Sequence, residues 1–426
     1  MNNRTVASVF WMLISPFYML VAALKSGDRR YIWWIIVLFT IIYAATWDIG
    51  GIGDGTAHWQ NVYDYYVGLS FSQFLQDMGD ILLFKTNEDI NEDLYIHLIS
   101  YLVGGVLELP GLFFVVVAFV YGYFFAGSMV KVFDVFPTYS RSILFLGIAL
   151  IFIMKLNIQA MNTVRTWTGF WILFYACISY YKDGGSKYLW LMFVPPLVHI
   201  GFFIMAVPAW LVAFTGNRKL IFPILFFISF GTTIINPGQT VNQLNQFEVG
   251  EDKVQGYYQE EESTVDDTLE QTKENRWYVQ YDKIGVVSWS VAVMAGLFIV
   301  TGRYFRDMDQ LEASMFSIGI VTKALSNSTW FLFAVSNRSD TIALLFILGA
   351  ILLYWQRKFL DEGGVNFSVP EKTVMYGVFL TFIPYYIFIL ANTIQYSSVL
   401  MFAFPFFAWI SEDMRITIRE FIGFFI

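Results

Sequence analysis

Residues 111–130 read GLFFVVVAFVYGYFFAGSMV, a run of twenty without one charged side chain, and Lys131 closes it. As a helix this run is about 30 Å long, the thickness of a bilayer's hydrocarbon core, where a helix satisfies its own backbone polar groups. The rest of the chain has the same character. Its 426 residues are 57% hydrophobic, 19% aromatic and 14% charged, where an average soluble domain is roughly 25% charged, and the mean hydropathy is +0.56. These figures rule out an ordinary soluble fold and predict an all-α polytopic membrane protein. A formal charge of −8 argues against nucleic acid as a partner, because phosphates require a basic footprint. Cys177 is the single cysteine, so no disulfide forms within the chain.

Working outward, apolar runs broken at charges, Gly and Pro predict about thirteen helical segments, some short or re-entrant: 6–24, 31–47, 111–130, 142–157, 165–181, 188–198, 200–214, 219–235, 284–301, 312–335, 340–356, 373–391 and 396–410. The first is read as a retained span, since no small-residue cleavage site follows it. Lys and Arg favour the cytoplasmic side. One alternate set of turns, which includes Lys25, Arg29, Arg30, Lys131, Lys182 and Arg303, holds 16 of the 26 basic residues. That bias places the N-terminus outside and the C-terminus inside a cytoplasmic membrane. The same parity makes residues 94–109 an interfacial or re-entrant helix and not a span.

The reading treats 1–426 as a single membrane-embedded domain with two long outer loops, 48–93 and 236–282, which carry nine and eleven of the 34 acids. Elements this long between spans are more often lids or binding loops than plain connectors. The second resembles disordered segments in composition, and a solvated loop with no partner is as good a reading of it. The first interleaves Trp59, Tyr63 and other rings with its carboxylates, which suits an ordered surface that stacks on sugars.

A few polar residues stand where the membrane makes them expensive. Arg165 opens a helix in NIQAMNTVRTWTGF, with Asn162 and Gly169 expected on the same helical face. Its guanidinium at the positive end of a helix dipole favours an anion; an interface anchor is the alternative. Arg338, in AVSNRSDTIALLF, is expected to repeat the arrangement before a helix capped by Ser339 or Asp340, unless it pairs with Asp340. His199, in PPLVHIGFF, is either a satisfied structural histidine or a general base near neutral pH, and His58 and His97 are weaker candidates. Lys323, in the middle of its span, is a functional candidate or half of a structural pair with Glu108 or another buried acid. The NEDINED run at 87–93 lacks the glycine and spacing of a calcium loop, so no metal is expected. No nucleotide-binding, zinc-protease or serine-hydrolase motif is present, and no cofactor is expected.

In order along the chain, these residues resemble the EpsG family of Wzy-type polysaccharide and O-antigen polymerases, which is similar to the membrane-embedded C-type (GT-C) glycosyltransferases. The resemblance rests on Asp54, Trp59 and Tyr63 in the first loop, then Glu92, Asp93 and Tyr95 at the entry to the next helix. Arg165, His199 and Arg338 follow. It covers about residues 30 to 410, through motifs of one to three residues. The 236–282 loop is longer and more acidic than the family pattern, which puts Arg338 in more doubt than Arg165. The resemblance implies a polymerase at the outer face of a bacterial cytoplasmic membrane. Such an enzyme moves a glycan from a polyprenyl-pyrophosphate carrier onto a hydroxyl of a lipid-linked repeat, beside other polysaccharide-assembly proteins. Arg165 and Arg338 would hold pyrophosphate without a metal, and His199, Asp54 or Glu92 would serve as base. Asn162, Trp59, Tyr63 and Lys323 would contact sugar or support the site. A ligase that uses the same residues, and a flippase of lipid-linked sugars, are the alternative readings.

Overall fold

The computed structural model describes residues 3–47, 54–83, 85, 93–133, 142–232, 285–330, 332–410 and 415–425. Among them regular structure is helical, apart from one isolated bridge between Ser398 and Thr417. The helices are α1 (Asn3–Ile14), α2 (Pro16–Ser26), α3 (Arg29–Thr46), α4 (Asp54–Asn61), α5 (Phe71–Leu82), α6 (Leu94–Ser100), α7 (Phe113–Val132), α8 (Ile143–Lys155), α9 (Thr166–Asp183), α10 (Ser186–Leu191) and α11 (Pro195–Val198). They continue as α12 (Phe202–Met205), α13 (Val207–Thr215), α14 (Ile221–Ser229), α15 (Val286–Val300), α16 (Arg303–Arg306), α17 (Gln310–Ser328), α18 (Phe333–Glu362), α19 (Val369–Thr381), α20 (Ile383–Tyr396) and α21 (Ile418–Gly423). Among the described residues, five stretches are long and apolar enough to cross a bilayer: Arg29–Thr46, Pro110–Val132, Ile143–Thr163, Ala334–Glu362 and Val369–Tyr396. The architecture is that of an all-helical membrane protein.

Several expected segments change when built. The first is two helices, because Ser15 takes an extended backbone and caps α2 at Pro16, a residue without the N–H a continuous helix needs. Residues 396–410 form no span; they hold two short 3₁₀ turns, Val399–Met401 and Pro405–Trp409. The stretch at 94–109 is an apolar helix over Leu94–Val106, shorter than the ~20 residues of a span. Residues 188–214 break into α10 to α13, with prolines opening α11 and standing second in α13. The described part of the first loop, from Asp54 to Leu82, is largely helical. The 236–282 loop lies outside the described residues.

The chain divides into two compact units. The first comprises Met1–Thr138, Leu156–Ala206 and Leu390–Ile426; the second comprises Tyr139–Lys155 and Val207–Ile389. In the first, α3 packs on α7, and α7 on α9. The start of α3 and the ends of α7 and α9 share one cavity, so α3 runs against the other two. Tyr121 of α7 fixes the approach to α9: its hydroxyl accepts from Trp171 Nε1 at 3.0 Å and donates toward the carbonyls of Asn157 and Leu156 at 2.7 and 3.0 Å. In the second unit α17 packs on α18, and α14 on α17. There Arg303 grips Glu371 through two bonds of 2.6 and 2.9 Å, and Arg357 grips Glu312 through bonds of 2.7 and 2.8 Å. Such bidentate pairing gives a low-dielectric charge both compensation and direction.

Candidate functional site

Asp93 stands just before α6, where an Asp side chain ordinarily caps the helix by accepting from the first-turn N–H groups. It makes no such bond. Its carboxylate turns instead to three donors from distant parts of the chain. Arg165 Nη1 donates to Oδ2 at 2.6 Å, His199 Nδ1 lies 3.1 Å from the same oxygen, and the Ile200 backbone N–H donates to Oδ1 at 2.8 Å. Asp93 and His199 are each 3% exposed.

Each partner arrives through a local interruption of helix. The 3₁₀ turn Ile158–Thr163 ends at Val164, whose φ of 53° and ψ of −58° place a fully buried β-branched residue in the left-handed half of backbone space. With Arg165 N donating to Thr163 O at 2.5 Å, this is a three-residue γ-turn, a rare and strained form. Strain of this kind, about 1–3 kcal/mol, persists only where surrounding contacts enforce it, and it concentrates at functional sites. The turn aims Arg165 at Asp93 immediately before α9 begins. His199 ends α11 with extended backbone (φ −153°, ψ 125°), and this break frees the next N–H, that of Ile200, for the carboxylate. Gly169 lets the two segments meet, because a Cβ there would come within 2.7 Å of the Phe202 ring.

The electrostatics follow from this geometry. Burial alone would raise the Asp93 carboxyl. The His199 hydrogen bond and charge, the Arg165 guanidinium and the Ile200 N–H outweigh it and lower the pKa from 3.8 to about 2. Asp93 is therefore ionised at neutral pH. A carboxylate only accepts, so His199 carries its proton on Nδ1, and in the neutral ring the lone pair is on Nε2. Arg165 uses one nitrogen of its fork on Asp93, and its other donors meet no acceptor among the described residues. Its side chain is 27% exposed.

Two of the residues singled out from sequence, Arg165 and His199, are thus joined, and the carboxylate between them is Asp93. Glu92, its neighbour and the candidate base, lies outside the described residues, as does the side chain of Asp54, whose backbone opens α4. Asn162 is not on a helical face with Arg165, because it belongs to the 3₁₀ turn before the break; its side-chain oxygen is buried without a hydrogen-bond partner. The same asparagine bears on Gly55 of α4, where a Cβ would fall 2.2 Å from Asn162 Oδ1, and this contact seats the first loop on the Arg165 turn. Trp59 and Tyr63 stand edge to face at 4.9 Å, with Tyr63 exposed.

Arg338 and Lys323 fall in the second unit. Arg338 lies inside α18, which starts at Phe333, so the expected cap at Ser339 or Asp340 and the dipole argument built on it do not hold. Asp340 belongs to Lys323, whose Nζ donates to it at 2.5 Å, so the acid that pairs with Lys323 is this half-buried aspartate and not Glu108. Asp93 and the strained Val164 were missed as site residues, although an acid directly ahead of an apolar helix was the available signal. The chain matches no family model, no curated protein and no solved structure.

Proposed function

We propose that this chain is a membrane glycosyltransferase that joins polyprenyl-pyrophosphate-linked oligosaccharide repeats into a surface polysaccharide. The observation that carries the reading is one buried carboxylate, Asp93, shared between His199 and an arginine with donors to spare. Asp93 holds His199 in the tautomer whose Nε2 lone pair can take a proton from a sugar hydroxyl. As that proton leaves, the acceptor oxygen bonds to the anomeric carbon of the donor sugar. The bond from that carbon to the pyrophosphate oxygen breaks, and the leaving oxygen takes the electron pair. The remaining Arg165 donors face the charge that develops there, which suits a planar guanidinium. Trp59 and Tyr63 offer stacking faces for sugar rings. The reading rests on Arg165 alone among the arginines.

The test is transfer by the purified protein on a synthetic polyprenyl-pyrophosphate-linked repeat, scored as a ladder of products. Arg165→Ala should leave single repeats unjoined. Arg165→Lys should restore little, since lysine cannot present the fork. Repeats carried across vesicles but never joined would replace the reading with a flippase, and a wild-type ladder from Arg165→Ala would remove the arginine from the chemistry.

A further inference from the structure

Beyond the apolar stretch Val369–Tyr396 the chain turns back on itself. Ile418 N donates to Ser397 O at 2.9 Å and Val399 N to Ile416 O at 3.1 Å, around the bridge between Ser398 and Thr417. A segment whose two ends are joined in this way crosses no bilayer. After it, Thr417 and Glu420 exchange hydrogen bonds in a capping box that starts α21, whose six residues span about 9 Å, too little to cross. The C-terminus therefore stays on the face where α20 ends. That face carries the Asp93 cluster. Ser397 Oγ is 3.1 Å from the hydroxyl of Tyr43, three residues before the end of α3, and Gln159 Nε2 donates to the same hydroxyl at 2.9 Å. Gln159 belongs to the 3₁₀ turn Ile158–Thr163 that leads into Arg165. The basic-residue bias predicts the opposite face for the C-terminus, on the strength of Arg415 and Arg419.

One side of this segment is held by the first unit. Phe404 N donates to Ile14 O at 2.7 Å, the Phe402 ring meets that of Phe17 at 5.1 Å, and Thr46 Oγ1 lies 3.3 Å from Met401 Sδ. The other side is open and apolar. Residues 397–410 carry no charge, and Trp409, Ile410 and Phe424 are 58%, 70% and 74% exposed. The location names what covers them. The segment is continuous with the end of one bilayer-length stretch and packs on the end of another, Arg29–Thr46. That is the level at which hydrocarbon meets headgroups, where tryptophan is favoured and where an apolar face buries itself without crossing. We infer that Ser397–Phe425 is a monotopic anchor in the bilayer interface, on the face of the Asp93 cluster, with its exposed rings covered by lipid. The inference rests on the helical membrane architecture and does not depend on the transfer reading.

The test uses the full chain with Cys177 left in place, since it is buried in α9 and out of reach of a membrane-impermeant maleimide. Single cysteines are added at exposed positions and labelled in sealed membrane vesicles of one orientation. Arg419→Cys should label in the same vesicles as Gln60→Cys of α4, the helix seated on the Asn162 turn. It should stay silent in the vesicles where Ser186→Cys, just past the far end of α9, labels. Labelling together with Ser186→Cys would put the C-terminus on the other face and overturn the inference. The lipid contact is read separately, from spin labels at Trp409→Cys and Phe424→Cys in phospholipid nanodiscs. Because both side chains are exposed, neither substitution removes a packed group. Each label should collide several-fold more with oxygen, which concentrates in hydrocarbon, than with a water-soluble nickel chelate. The reverse ratio would mean water at this surface, and protection from both reagents would mean a second copy of the chain; either result would overturn the anchor.

Discussion

Two buried histidines in the first unit, His97 and His199, are held by opposite kinds of neighbour. Both ring nitrogens of His97 meet neutral groups, Tyr66 OH at 2.8 Å from Nδ1 and the Phe74 carbonyl at 3.1 Å from Nε2; the Phe74 ring stacks on it at 4.8 Å, and the Asp77 carboxylate acts on it through charge and not through a hydrogen bond. A carbonyl only accepts, so Nε2 carries the proton, both ring nitrogens are satisfied, and burial shifts the pKa down and keeps the ring neutral. His199 is tied to a carboxylate that also holds a guanidinium. Burial is nearly the same at the two sites, at 0% and 3% exposed, and does not separate them. What separates them is whether the hydrogen-bond circuit closes on neutral partners or passes through charge. The first arrangement fixes a fold, and the second, in the proposed function, holds a proton acceptor in place.

The comparison breaks most sharply at the imidazole itself. His199→Ala should reduce glycan transfer by about 10²–10⁴-fold, the usual worth of a positioned general base, with the protein still folded by circular dichroism; a variant as fast as wild type would make His199 another His97. Asp93→Ala leaves a histidine and an arginine without their common acceptor and should cost about 3 kcal/mol in detergent unfolding, in addition to loss of transfer. Acid reads the same carboxylate. Because its pKa is held below the ordinary range, its contribution of about 2 kcal/mol is complete above about pH 4 and disappears as the pH falls toward about 2. Asp93→Asn should show no such portion in a stability-versus-pH curve. The smallest effect is expected at His97→Phe, which forfeits two neutral hydrogen bonds for about 1–2 kcal/mol. Transfer per folded molecule should be unchanged there, and a large loss would erase the distinction between the two histidines.

Much of the helical layout was legible because it depends on run length and on charge. The runs at 111–130, 165–181 and 284–301 correspond to α7, α9 and α15 within a few residues. Breaks were harder to place, because a proline inside an apolar run is compatible with both a kink and a stop. Pro16 and Pro405 became stops. Arg165 and His199 were visible because a polar group in apolar surroundings is costly wherever it packs. Asp93 was not chosen over Glu92 because two adjacent acids look alike in a string, and only the packing of α11 against α6 selects one of them. Arg338 was misplaced for a related reason: Ser339 and Asp340 have the chemistry of a helix cap, but α18 had already begun at Phe333. Val164 left no signal, since positive φ at valine is imposed by its surroundings.

The shared carboxylate also constrains the order in which the chain assembles. Asp93 precedes Arg165 by 72 residues and Ile200 by 107. During synthesis it is therefore an unpaired anion while those residues are added, and an unpaired anion is expelled from apolar depth. Its carboxylate gains a first partner only when Arg165 is in place, and its full set only when the Pro195–Ile200 segment has emerged. Closure of this site is accordingly complete only after Ile200 has been added, and a chain truncated before residue 195 should leave Asp93 without two of its three donors.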